Sequence, residues 1–137
     1  MVELQVGVKI LLKSNSDVYL LLLRSKEFYV DSGNIWDLPG GRIDAGISLL
    51  ENLKREVREE TSFDINGTPK LIAAQDIMPT GNKHIVRLTY VIDVGIDSKP
   101  TLSEEHSDYG WFSIDKMKDL DKLDKYLKEL IESGTLF

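Results

Sequence analysis

The sequence predicts an α/β (α+β) fold whose sheet is covered on both faces. Three observations carry that prediction. Residues 4–13 (LQVGVKILLK) and 18–24 (VYLLLLR) are nearly continuous apolar runs, the pattern of strands buried on two sides. Residues 69–78 and 83–94 form a second strand-like pair around a short polar turn. Between and after them, Leu50, Leu53 and Val57, and then Leu120, Leu123, Leu127, Leu130 and Ile131, recur at helical spacing. A chain of 137 residues is long enough for a real core, and 1–137 is expected to form a single domain. There is no internal repeat, low-complexity tract or candidate linker.

Taken in order, Ser14-Asn15-Ser16-Asp17 is turn chemistry, so the first two strands are expected to form a β-hairpin. Arg24 ends the second strand, where it either snorkels to water or reaches a substrate phosphate. Residues 25–35 form a polar loop containing Phe28 and Tyr29, which either pack beneath the loop or line a binding site. Trp36-Asp37-Leu38 is extended, because Leu38 precedes Pro39. Gly40-Gly41 permits a close backbone approach or a positive φ. Ser48-Leu49-Leu50-Glu51 has the spacing of a capping box and sets the start of a helix near Ser48. Thr61-Ser62 ends it, and Asn66-Gly67 marks a turn. Pro79-Thr80-Gly81-Asn82 separates the second strand pair, in which His84 is an ordinary strand residue. Residues 96–108 form an acidic loop and 109–114 (YGWFSI) a short strand. Asp115 is placed to cap a final amphipathic helix ending near Ser133-Gly134, with a stripe that packs in the core or, alternatively, at a dimer contact.

Composition narrows the function classes. The hydrophobic fraction is 42% and the charged fraction 29%, as in soluble globular proteins. No apolar run approaches a membrane span, and the N-terminus lacks the pattern of a secretory signal. With no cysteine there is no disulfide or thiolate metal site, which fits a cytoplasmic location. A formal charge of −6 argues against a duplex nucleic acid partner but allows a small phosphorylated substrate.

The chemistry concentrates in residues 40–63 (GGRIDAGISLLENLKREVREETSF). Glu56, Glu59 and Glu60 stand at i, i+3 and i+4, so a helix gathers them on one side, about a quarter turn from the Leu50/Leu53/Val57 stripe. Such a cluster is either a solvated acidic face or a site for a hard cation such as Mg²⁺.

Gly41, then Arg55-Glu56-Val57-x-Glu59-Glu60, then Phe63, resembles the signature of the Nudix hydrolase superfamily, G-x5-E-x7-R-E-U-x-E-E-x-G-U, where U is a bulky apolar residue. Trp36-Asp37-Leu38-Pro39-Gly40 is similar to the usual approach to that signature, and the resemblance extends to the opening strands, the Trp111-to-Asp115 segment and the last helix. It implies a Nudix-type α/β/α sandwich with a mixed β-sheet. It also implies a Mg²⁺-dependent hydrolase, with Mn²⁺ as the alternative ion, that splits a nucleoside diphosphate linked to another moiety. The MutT-like branch, which converts nucleoside triphosphates, oxidised ones included, to monophosphate and pyrophosphate, is the leading expectation. Pro79, near a proline of the ADP-ribose branch, keeps ADP-ribose or a nucleotide sugar as the alternative substrate.

The resemblance places Glu56, Glu59 and Glu60 as metal ligands, Glu56 also as a base, the Gly40 carbonyl as a further ligand and Arg55 as the group that orients Glu56. Glu105, with Glu104 as its alternative, would complete the site from the loop before Trp111. Arg24, Phe28 and Tyr29 are the candidate substrate contacts. Two positions depart from the signature: Ile47 stands where its first glutamate belongs, and Ser62 where its last glycine belongs. Ile47 deprives Arg55 of a partner, and Glu51, four residues before Arg55, is the expected replacement. Ile47 also motivates a second class of function, a non-catalytic nucleotide-binding module. Monomer and homodimer are both open.

Overall fold

In a computed structural model, residues 1–29, 33–78 and 81–136 are described. Ten elements follow one another among the described residues. They are β1 (Glu3–Ser14), β2 (Tyr19–Arg24), β3 (Trp36–Asp37), β4 (Gly40–Arg42), α1 (Leu49–Thr61), β5 (Lys70–Ile77), β6 (Lys83–Gly95), β7 (His106–Phe112), α2 (Ile114–Lys118) and α3 (Lys125–Glu132). The strands form one mixed sheet with the path β3-β2-β1-β6-β5, to which β4 adds against β1 and β7 against β2. β1 and β6 run parallel along most of their length, and the other pairs are antiparallel.

The continuous apolar runs are explained by helices on both faces. Val8, Ile10 and Leu12 of β1 and Leu20 and Leu22 of β2 pack with Leu53 and Val57 of α1. Leu11, Tyr19 and Leu21, one residue out of phase, pack with Met117 of α2 and Leu127, Leu130 and Ile131 of α3. Leu53 and Val57 are fully buried and hold α1 against the sheet, so truncating Leu53 to Ala costs about 2–5 kcal/mol. No helix among the described residues is long and apolar enough to cross a membrane.

The expected hairpin of residues 4–24 closes only at its tip. Lys13 lies opposite Tyr19, and the Ser14 amide donates to the Val18 carbonyl at 2.9 Å. Below the tip the strands part. Gly7, Val8 and Lys9 of β1 pair with Arg42, Gly41 and Gly40 of β4, while β2 pairs with β7 and β3. Glycine makes this insertion fit: Gly40 has φ +137°, and a Cβ there would run into the Val8 carbonyl oxygen.

The final helix differs from expectation. It is two helices, α2 capped by Ser113 rather than Asp115, and α3 capped by Asp124. The Asp124 carboxylate accepts from the amides of Tyr126 and Leu127 at 3.1 and 3.0 Å and so starts a new helix. The intervening chain is tied to β3, because the Trp36 amide donates to the Lys122 carbonyl and the Asp124 amide to the Trp36 carbonyl, both at 2.8 Å. β7 begins at His106, three residues ahead of the expected strand, because it pairs along β2 from Tyr19 to Arg24. Pro79 lies outside the described residues.

Candidate active site

α1 begins where the sequence places it: the Ser48 hydroxyl accepts from the Glu51 amide at 3.2 Å. It ends at Ser62, which takes the left-handed conformation (φ 65°, ψ 13°) that the signature's glycine would adopt without strain. Along its length the three glutamates are graded in depth rather than equally placed at the edge of the buried face. Glu59 is exposed, Glu56 is half-buried and Glu60 is inside the protein, 3% exposed.

Two glycines receive the carboxylates. The Gly40 amide donates to Glu60 Oε1 at 2.7 Å. A Cβ on Gly41 would sit 2.9 Å from Glu56 Oε2, so only glycine leaves that carboxylate in place. Glu105, just before β7, and His106, its first residue, approach, and single ligand atoms of Glu60, Glu105 and His106 lie within 4.8 Å of one another. Burial pushes Glu60 up to about 8; Glu56 and Glu105 add to the rise, while Lys9 and the Gly40 amide oppose it. Burial likewise raises Glu56, with Glu59 and Glu105 adding to it and Arg55 opposing. His106 goes the other way, down to about 4, through burial and then the charges of Lys9 and Arg24, so its imidazole is neutral. Nδ1 of His106 is buried without a partner among the described residues.

Arg55 finds partners that the sequence reading did not assign to it. Glu51 does not replace the missing glutamate: among the described residues Arg55 instead donates from Nη1 to Asp44 at 2.7 Å and from Nη2 to Asn52 Oδ1 at 3.1 Å. Its Nη2 also reaches Glu56 Oε1 at 3.4 Å, and its Nε lies 3.8 Å from Glu59. Asn52 shapes this arrangement. Fully buried, it donates to the carbonyls of Ile47 and Ser48 at 2.9 and 2.7 Å and accepts from the Asp44 amide at 2.9 Å. The loop is thereby folded so that Asp44 comes to the guanidinium and Ile47 turns outward.

Beside the carboxylates opens a cavity of about 560 Å³, lined by Lys9, Arg24, Tyr29, Gly40, Gly41, Glu56, Arg87 and Glu105 among others. Its floor is a charge network that the sequence reading missed. Asp37, 1% exposed, is shared by Arg24 at 2.8 Å, Arg87 at 3.1 Å and Lys9 at 3.2 Å, and Arg87 also meets Asp124 at 3.2 Å. Although burial alone would raise it, Lys9, Arg87 and Arg24 hold the Asp37 carboxyl well below the usual carboxylate range. Lys9 Nζ donates to the Leu38 carbonyl at 3.1 Å and lies 3.5 Å from the Gly40 carbonyl, so one ammonium stands beside both the acidic site and its floor. Lys9 and Arg87 each interrupt an apolar strand, and that interruption was the available signal.

Of the candidate substrate contacts, Arg24 and Tyr29 line the cavity, with the Arg24 guanidinium 5.2 Å from the Tyr29 ring centroid. The Tyr29 hydroxyl donates to Glu105 at 3.4 Å, and burial, then Glu105 and Glu60, push it up to about 12. Phe28 is half exposed and stacks edge-on against Tyr29 at 5.1 Å, outside the cavity lining. His84 pairs with Asp76 at 2.8 Å, away from the site.

The sequence matches the NUDIX domain family over residues 3–133. It is 41% identical over 58 residues to the m7GpppN-mRNA hydrolase NUDT17 of Xenopus laevis, and that stretch covers 42% of this chain and 19% of the relative. It is 40% identical over 50 residues, 36% of this chain and 30% of the relative, to a Bacillus subtilis (strain 168) protein named provisionally as an 8-oxo-dGTP diphosphatase. The chain thus matches less than a third of the length of either curated relative. Among solved structures, the MutT protein of Methanosarcina mazei Go1 superposes with a TM-score of 0.83 at 27% identity, covering 96% of this chain and 93% of that one.

Proposed function

The chain belongs to the Nudix family, and on that premise we propose that it is a divalent-cation-dependent pyrophosphohydrolase that converts a nucleoside triphosphate to monophosphate and pyrophosphate. The observation that carries this reading is that carboxylates and cations face each other in one cavity. Glu56 and Glu105 line it together with Lys9, Arg24 and Arg87.

The residues fit Mg²⁺. The donors are hard carboxylate and carbonyl oxygens, and Glu60 is raised to about 8 because it is buried among acids without enough positive charge. Glu56, Glu59, Glu60, Glu105 and the Gly40 carbonyl would hold the ion. When bound, Mg²⁺ withdraws charge from the phosphate oxygens and from the leaving group. The chain's own residues do the rest. Arg55 fixes Glu56 through Nη2, and Glu56 takes the proton of the attacking water as that oxygen bonds to phosphorus. The P–O bond on the far side breaks, and pyrophosphate leaves with the bridging oxygen. Lys9 and Arg24 supply positive charge to the phosphates from the floor. Tyr29, kept protonated, orients Glu105 by donating to it.

The test is product analysis with Mg²⁺ across dGTP, 8-oxo-dGTP, ADP-ribose and a nucleotide sugar. Monophosphate and pyrophosphate from a triphosphate are expected. Turnover confined to ADP-ribose or the sugar would move the substrate class. Tight binding with no turnover of any of them would make the chain a nucleotide-binding module instead.

A further inference from the structure

Resting on the nucleotide reading above, we infer that Arg87 selects the base: its guanidinium donates to the O6 carbonyl of a 6-oxopurine such as guanine. Arg87 lies in the interior of β6, 4% exposed, yet it lines the cavity. Its position is fixed from two sides. Nη2 is held between Asp37 at 3.1 Å and Asp124 at 3.2 Å, and the guanidinium carbon stands 5.9 Å from the centroid of the Tyr126 ring. Only part of its donor capacity is used: among the described residues its contacts to Asp37 and Asp124 all run through Nη2, while Nε is closed off from the cavity. A guanidinium carries five N–H donors and no acceptor, so what it can add to a ligand is donation alone.

The surroundings suit a flat heterocycle rather than a phosphate. Ile85 lies two residues away on the same face of β6, and Ile77 is its partner across β5. Gly7, the partner of Arg87 across β1, adds no side chain, and Tyr126 supplies an aromatic wall. The acidic end of the cavity, with Gly40, Gly41, Glu56 and Glu105, lies across the Lys9–Asp37–Arg87 network from Ile77, Ile85 and Tyr126. A nucleotide with its phosphates at the acids therefore brings its base to Arg87. Guanine presents the O6 acceptor, with N7 beside it, whereas adenine presents an N6 amino donor at the same edge. Two donors facing each other lose the hydrogen bond and leave both groups desolvated.

The experiment measures dissociation constants of the wild-type chain for GMP, AMP and 2-aminopurine riboside monophosphate, which keeps the guanine ring and its amino group but lacks O6. GMP is expected to bind at least ~10-fold tighter than either of the others, the scale of one specific base contact. In Arg87→Lys, which keeps a cation between Asp37 and Asp124, the GMP advantage is expected to fall below ~3-fold while 2-aminopurine binding stays near wild type. Equal affinities in the wild type, no binding of any of the three, or a GMP advantage that survives in Arg87→Lys would overturn the assignment. If Arg87→Lys does not fold, Arg87→Met takes its place with the same expected loss of the GMP advantage, and equal wild-type affinities for GMP and the 2-aminopurine nucleotide overturn the assignment without any variant. Triphosphate hydrolysis without guanine preference would sink this assignment and leave the hydrolase reading standing. Guanine-selective binding without hydrolysis would do the reverse.

Discussion

Asp44→Ala separates a structural role from a positioning one at the place where this chain departs from its family's signature. Asp44 holds Arg55 through a 2.7 Å ion pair, with side chains 67% and 33% exposed. A pair so open to solvent contributes at most about 1 kcal/mol to stability, so the melting temperature should fall by no more than about 4 °C. The effect on catalysis is larger. Without Asp44, Arg55 keeps only its longer contacts, 3.1 Å to Asn52, 3.4 Å to Glu56 and 3.8 Å to Glu59. Glu56 is then no longer held by an anchored guanidinium, and groups that orient the carboxylates of a cation site typically contribute ~10–100-fold. Steady-state pyrophosphate release should show kcat down by that factor with KM changed by less than about 3-fold, as expected where binding is retained and alignment is lost. Glu51→Gln should stay within ~2-fold of wild type. Asp44→Ala at the wild-type rate while Arg55→Ala collapses, or Glu51→Gln falling as far as Asp44→Ala, would refute this role for Asp44.

Three other perturbations test different parts of the structure. In the cation-free protein, Glu60 titrates near 8 when folded and near 4.5 when unfolded, so its contribution is complete below about 4.5 and lost as pH rises through 8. His106, lowered from 6.5 to about 4, works with the opposite sign up to 6.5. The net fall is therefore confined to pH 6.5–8 and amounts to about 2 kcal/mol in urea unfolding; it should vanish in Glu60→Gln, and a flat wild-type profile would contradict it. Asp37→Asn strips the shared anion from Lys9, Arg24 and Arg87 and should cost about 3–5 kcal/mol by the same assay; a loss below about 1 kcal/mol would show that the cations relax to water. Ser62→Gly relieves a left-handed serine and should raise stability by up to about 1 kcal/mol without changing kcat, whereas a loss of stability would mean the serine is not strained.

What could be read from the sequence was what depends on near neighbours. Ser48 caps α1 through an amide three residues away, and Glu56, Glu59 and Glu60 share a helix side by spacing alone. The doubly covered sheet was visible in β1 and β2 because each strand carries its own burial pattern. What depended on distant partners was not visible. The hairpin opens because β4, some thirty residues on, wedges against β1, and nothing within residues 4–24 records that. Depth along α1 was hidden for the same reason: Glu60 is interior because the Gly40 amide and β7 close over it. The partner of Arg55 is set by Asn52, whose side chain folds the loop and so delivers Asp44 rather than Glu51. In the floor, Asp37, Lys9 and Arg87 come from three strands and meet only through sheet register. The C-terminal helix breaks where Asp124 offers its carboxylate to the backbone and Trp36 captures the chain, a competition that periodicity does not show.

On the proposed function, the carboxylates gathered by Gly40, Gly41 and α1 serve a divalent cation in phosphoryl hydrolysis. Pyrophosphate release from a nucleoside triphosphate, followed as a function of Mg²⁺ concentration in wild type and in Glu60→Gln, tests it most directly. Saturable dependence on Mg²⁺ is expected in wild type, with no release in the presence of a chelator and a loss of at least ~100-fold in Glu60→Gln with its fold intact. Equal rates with and without Mg²⁺, or a folded Glu60→Gln that turns over at the wild-type rate, would contradict it.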